Sequence, residues 1–249
     1  MIHFFRKIRR HLLSENKFSK YIIYAFGEII LVMIGILLAF QVNSWQDRRT
    51  RAKKEMSYLK DIRLNLNDDL ETIDEVVEFN ERKNILTDSM FYTLGNQTNP
   101  EVYMPIVLRY MYTLTNYDIF EPNRIAFDNM VAAENVDLIS NGGLRTKLSQ
   151  YYKREFNTTT QESVKQRSRQ LGDYVAIAAF NKQSLKSLVN HDSNLRDVSE
   201  VKIHEDPKVY SILFNMLMTT QAQNETLIGV QLVIRELITL IDKEIDNRK

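Results

Sequence analysis

From residue 21 to residue 40 the chain reads YIIYAFGEIILVMIGILLAF, an apolar run with one ionisable side chain, Glu28. Twenty residues at about 1.5 Å each make a helix of about 30 Å, the thickness of a bilayer's hydrocarbon core. Beyond it the pattern turns from continuous to periodic. Met56, Leu59, Ile62, Leu66, Leu70, Ile73, Val77 and Asn80 recur at steps of three and four. That spacing predicts one buried stripe on a long helix, reaching Leu94 before Gly95 and Asn96 end it. No breaker lies between Trp45 and Leu94, so the apolar helix is expected to run on into the periodic one as a rigid connection or a stalk.

Further along, Pro100 and Pro105 suit the start of a second helix through Tyr117, and Pro122 the start of a third to about Glu134. Asn141-Gly142-Gly143 marks a turn. A fourth helix, expected to be long, carries Leu144, Leu148, Tyr151, Tyr152, Phe156, Val164, Leu171, Val175, Ala178 and Leu185. A polar loop follows over 190–206. Asp206-Pro207 then caps a last helix bearing Val209, Leu213, Met216, Ala222, Leu227, Val230, Leu237 and Ile241. With 7 glycines and 4 prolines in 249 residues, the turns that a β-sandwich needs are missing. The expected fold is all-α: an N-terminal transmembrane helix continuing into an antiparallel helical bundle. Residues 1–20 form a basic cytoplasmic tail, 21–42 the span and 43–249 the soluble helical domain.

Charge sharpens this division. Residues 1–54 hold 11 Lys/Arg against 3 Asp/Glu, and residues 55–249 hold 22 against 29, so a +8 segment precedes a −7 one. The acidic remainder argues against nucleic acid as a partner, because phosphate-backbone affinity needs clustered cations. The apolar run exceeds a signal peptide's 7–15 residues and no A-x-A-like site follows, so an uncleaved signal anchor is expected. Trp45, Arg48 and Arg49 just past the span suit an interfacial anchor. Six Lys/Arg precede the run and five follow it closely, which leans towards a cytoplasmic N-terminus. The expected location is a bacterial inner membrane, single-pass, with the C-terminal domain periplasmic. Upstream, Phe4, Phe5, Ile8, Leu12 and Leu13 recur at helical spacing between arginines, as on a helix lying along the inner leaflet.

Glu28 is costly where it stands. A carboxylate near a bilayer centre costs about 2.5–3.5 kcal/mol on insertion scales, and less nearer an edge. Glu28, Gly35, Ala39 and Val42 share one helix face, and Gly35-x-x-x-Ala39 is a small-xxx-small pair that admits a close neighbour helix. Two readings compete. Glu28 holds a homo-oligomer or a membrane-protein partner together, or it titrates along a proton or ion path.

Residues 4–45 read FFRKIRRHLLSENKFSKYIIYAFGEIILVMIGILLAFQVNSW. The basic stretch Phe5 to Arg9, the linker Ser14 to Tyr21, the run Gly27 to Ala39 and the ending Asn43 to Trp45 resemble the N-terminus of a family of uncharacterised single-span membrane proteins common in Bacteroidota. A weaker likeness covers residues 135–152. The resemblance implies a topology and a bacterial source, and it supplies no activity. Gly27-Glu28 matches the family's motif.

Catalytic signals are sparse. There is no cysteine, hence no disulfide or thiolate chemistry. His3, His11, His191 and His204 form no H-x-x-x-H or H-E-x-x-H pairing, so no metal site is expected; His191-Asp192 and His204-Glu205-Asp206 read as a solvated loop and a helix cap. No P-loop, dinucleotide-binding glycine motif or G-x-S-x-G is present. Asp68, Asp69, Glu71, Asp74, Glu75 and Glu78 read as a solvated helix face. Tyr103, Tyr110, Tyr112, Tyr117, Phe120 and Phe127 suit core packing, or else a pocket wall. No cofactor is expected. The expected function is a membrane-anchored interaction or sensory module of the envelope, with an ion-coupled component using Glu28, or a membrane-bound enzyme with an unrecognised site, as alternatives.

Overall fold

The computed structural model describes residues 18–156, 159–200 and 202–248, and the upstream amphipathic stretch falls outside them. Among the described residues the chain is helical, with no strand. Seven α-helices follow in order: α1 Phe18–Asn96, α2 Pro100–Thr115, α3 Ile125–Ala132, α4 Gly142–Lys153, α5 Thr159–Ala179, α6 Lys182–Val189 and α7 Pro207–Asp246. Short 3-10 turns lie at Val136–Leu138, Val198–Glu200 and Ile203–Glu205. The chain divides into two compact units, Met1–Ser57 and Tyr58–Lys249.

In the first unit the described residues form one continuous stretch of α1. The helix is long and apolar enough to cross a membrane, and none of its most apolar window is buried within the chain.

The second unit is a bundle of four antiparallel columns. The later part of α1 runs against α7, held by Arg63–Asp242 at 2.6 Å, Gln231 Nε2 to Asp74 Oδ1 at 2.6 Å and Asn80 Nδ2 to Gln223 Oε1 at 2.8 Å. The helices α4 and α5 lie end to end along α7, from Asn141 Nδ2 on Glu244 at 2.5 Å to the Tyr174 hydroxyl on Asp206. A fourth column descends beside α1 as α2, an extended stretch over 116–124, and α3. It is marked by Lys83 on Asn116, Asp69 on Asn123 and Asn135 Nδ2 on the Tyr58 hydroxyl at 2.9 Å. Helix starts follow the expected chemistry: Asn99, Asn141 and Asp206 each accept a backbone N–H of the first turn.

Two expectations are corrected. The fourth helix is not continuous. It breaks after Lys153, ahead of Asn157-Thr158-Thr159, residue types that rank low in helix propensity. Phe156 turns inward there, edge-on to Phe120 at 5.3 Å and to Tyr151 at 5.4 Å. The third helix starts at Ile125 rather than at Pro122 and ends at Ala132, where Glu134 takes a left-handed φ of 55°. The stripe on α1 also shifts by one residue. Leu59, Ile62, Leu66, Ile73 and Asn80 are buried as expected, but the stripe runs through Asp69 and Val76 while Leu70 and Val77 sit at its margin.

Candidate functional site

Among the described residues, the apolar run of α1 is exposed along most of its length. From Ile22 to Val42 fourteen large apolar side chains are exposed, on every side of the helix. At 100° per residue, Glu28, Gly35 and Ala39 fall within about 40° of one another. Glu28 is partly buried and Ala39 exposed, and a Cβ added at Gly35 would meet nothing within 4 Å. The face is therefore open to a close neighbour. Trp45 is exposed with the Arg49 guanidinium 5.5 Å from its ring centre, and Arg48 is exposed as well.

Sequence reasoning missed a second constellation, a layer of buried polar side chains across the bundle. Asn80, Lys83 and Thr87 of α1, Gln161 and Ser168 of α5, and Thr220 and Gln223 of α7 are all at most 4% exposed. Such burial is costly unless partners are found, and here most are. Lys83 Nζ donates to the Asn116 carbonyl at 2.5 Å and to Ser168 Oγ at 2.6 Å, while Ser168 itself donates to the Val164 carbonyl. Gln161 uses all four of its hydrogen-bonding positions. Its Oε1 accepts from Phe120 N at 2.7 Å and Gln223 Nε2 at 3.3 Å, and its Nε2 donates to the carbonyls of Phe120 at 2.9 Å and Phe156 at 2.5 Å. Gln223 Nε2 also reaches the Asp118 carbonyl at 3.1 Å.

These bonds share one purpose. Where 116–124 and 154–156 leave the helix, their backbone groups lose intrahelical partners and must find others. The polar layer supplies them, with Asp69 holding Asn123 N at 2.6 Å one step further along. Asp69 is therefore not on a solvated face. It is 1% exposed and also accepts from the Tyr151 hydroxyl at 2.7 Å.

Burial tunes this layer's titration. Desolvation lowers Lys83 to about 8, opposed by the Asp118 carboxylate. It raises Asp69, although the hydrogen bonds from Asn123 and Tyr151 favour the charged form. Burial also pushes Tyr151 and Tyr152 above the ordinary tyrosine range, reinforced by Asp69. A lysine lowered in this way could serve as a base or nucleophile, but it needs a substrate beside it. The cavity at the layer, lined by Arg154, Phe156, Thr160, Gln161, Gln223, Thr226, Leu227 and Val230, holds about 10 Å³, near the room one water requires. Lys83 itself lines none of it. The layer fixes backbone, and this cavity beside it is too small for a substrate.

The remaining candidates resolve individually. His204 Nδ1 sits 3.2 Å from the Tyr103 hydroxyl and its Nε2 3.5 Å from Glu205, while Asp206 caps α7 and His191 is exposed. Among the described residues no three His, Asp or Glu side chains converge as metal ligands do. Of the aromatic stretch, Tyr103, Phe120 and Phe127 are core residues, Tyr110 and Tyr117 are partly buried, and Tyr112 is exposed. An open surface groove of about 380 Å³ runs between α5 and α7 past Arg167, Asp173, Tyr174, Lys208 and Asn215.

Compared with known proteins, residues 28–195 match the model of one family, described as a family of unknown function, DUF6090. No curated protein and no solved structure matches the chain.

Proposed function

We propose that this chain, which belongs to the DUF6090 family, is a membrane-anchored helical interaction or sensory module of a bacterial cell envelope. The observation that carries the reading is the exposure of fourteen large apolar side chains around the whole helix between Ile22 and Val42. A helix apolar on every side is buried in a core or in a membrane, and among the described residues no core covers it. At about 1.5–3 kcal/mol per fully buried side chain, leaving these in water forgoes on the order of 20 kcal/mol, which lipid restores.

The span anchors a single-pass protein of the inner membrane, with the basic N-terminal tail cytoplasmic and the bundle in the periplasm; the excess of cations ahead of the span supports this orientation. Its source is a member of the Bacteroidota, on the strength of the resemblance over residues 4–45. Association runs through the face of Glu28, Gly35 and Ala39, with a second copy of the chain as the partner.

The test is purification from native membranes in mild detergent, with the mass of the recovered complex and its subunits determined by mass spectrometry. A defined oligomer of this chain alone is expected. A stoichiometric multi-span partner would instead make Glu28 part of an ion-coupled assembly, and a lone monomer would sink the association reading.

A further inference from the structure

We propose that residues 48–54 of α1 form a cationic collar that gathers anionic phospholipid headgroups around the helix, an inference that rests on the membrane reading above. Arg48, Arg49, Arg51, Lys53 and Lys54 fall within about 9 Å of helix, and all five are exposed. At 100° per residue they stand at about 0°, 100°, 300°, 140° and 240°, so every face of the helix carries a cation. Two carboxylates flank them: Asp47, which accepts from Asn43 Nδ2 at 3.4 Å, and the buried Glu55.

The all-round arrangement selects the occupant. A partner helix or an acidic groove on a protein covers one side of a helix and would leave the opposite cations unused. A headgroup layer surrounds it. Arg48 lies about 9 Å and Lys54 about 18 Å beyond Val42, outside a polar region roughly 5–8 Å deep on each side of a bilayer, so the long side chains must reach back to meet headgroups. Direction favours this. Cα–Cβ bonds in a helix tilt towards its N-terminus, so side chains just downstream of a span lean back towards the lipid. Their aliphatic stems can lie along the helix while the charged ends meet phosphate. Phospholipid phosphate next to an added anionic headgroup offers the densest negative charge available at that depth.

Trp45 reports on this site without labelling, because it is the single tryptophan of the chain. The full-length protein is reconstituted in phosphatidylcholine vesicles containing a small fixed fraction of lipid brominated high on its acyl chains. That lipid is phosphatidylglycerol in one series and phosphatidylcholine in the other. Trp45 quenching by the brominated phosphatidylglycerol is expected to be roughly threefold the stronger at low salt. The difference should vanish near 1 M salt, where the Debye length is about 3 Å. Equal quenching at low salt would overturn the collar while leaving the span in place. Absence of quenching by both lipids would overturn the membrane reading and the collar with it. Replacing Arg48, Arg51, Lys53 and Lys54 together by Gln should abolish the lipid preference and keep Trp45 quenched; a preference that survived would overturn the proposal.

Discussion

Residues 22–42 and residues 59–94 belong to the same helix, yet the first stretch exposes Leu and Ile on every side while the second buries Asn80, Lys83 and Thr87 on its packed stripe. Backbone geometry is common to both, so the difference lies in what each side chain is set against. In lipid, an apolar side chain needs no partner and a polar one is expensive. In a water-soluble bundle, apolar side chains must find one another, and polar ones can be buried where irregular backbone requires bonds. The apolar run from residue 21 to residue 40 holds one acid in twenty residues. The bundle half tolerates a buried lysine because the Asn116 carbonyl and Ser168 meet it at 2.5 and 2.6 Å.

The sharpest way to break this contrast is to put bundle chemistry into the span. Leu31→Arg combined with Ile34→Arg places two cations in the apolar run, each costing about 2.5–3.5 kcal/mol at a bilayer centre, so about 6 kcal/mol in all. The carbonate-resistant membrane fraction of the double variant is expected to collapse. Unchanged membrane retention would mean that the stretch is held by something other than lipid.

The converse change puts span chemistry into the bundle. Gln161→Leu removes the partner of Phe120 N, Phe120 O and Phe156 O at one stroke. Each orphaned buried group costs about 1–3 kcal/mol, so a loss of about 3 kcal/mol or more is expected despite the added apolar surface. Urea unfolding of the full-length protein in detergent measures it. A stabilised variant would show that the layer is incidental to the two helix breaks.

Much of the architecture was legible. Asp206-Pro207 starts a helix as read, Gly95-Asn96 ends α1, and Leu59, Ile62, Leu66 and Ile73 are core, while Asn141, read as part of a turn, caps a helix that takes in both glycines. The polar layer was not, because a hydrophobicity pattern treats Lys83 and Gln161 as surface. A signal for Lys83 did exist. Steps of three and four from Ile73 lead through Val76, Asn80, Lys83 and Thr87 to Met90, so spacing alone places Lys83 on the buried face. The same spacing marks Asp69, three residues after Leu66 and four before Ile73, but its place beside Asp68 and among other acids on the same helix masks it. Its partner Asn123 arrives on the extended stretch, a tertiary event with no local pattern. The break after Lys153 was equally hidden, since Tyr151, Tyr152 and Phe156 keep helical spacing across it.

The finest distinction between the two halves of α1 is electrostatic, and Lys83 lets it be titrated. Burial lowers this lysine to about 8 from an ordinary 10.5. The folded chain therefore binds fewer protons than the unfolded chain between those values, and stability must rise with pH across that interval. Between pH 7 and 9.5 the gain is about 2 kcal/mol. The window stops short of 10 because Tyr151 and Tyr152, held protonated by burial, act in the opposite sense once unfolded tyrosines begin to ionise. Lys83→Met keeps the length of the side chain and removes its proton, so its urea midpoint should be flat over the same window. If wild type and variant rose in parallel, Lys83 would carry its charge without strain. The polar layer would then be wet enough to resemble the surface, which its complete burial argues against.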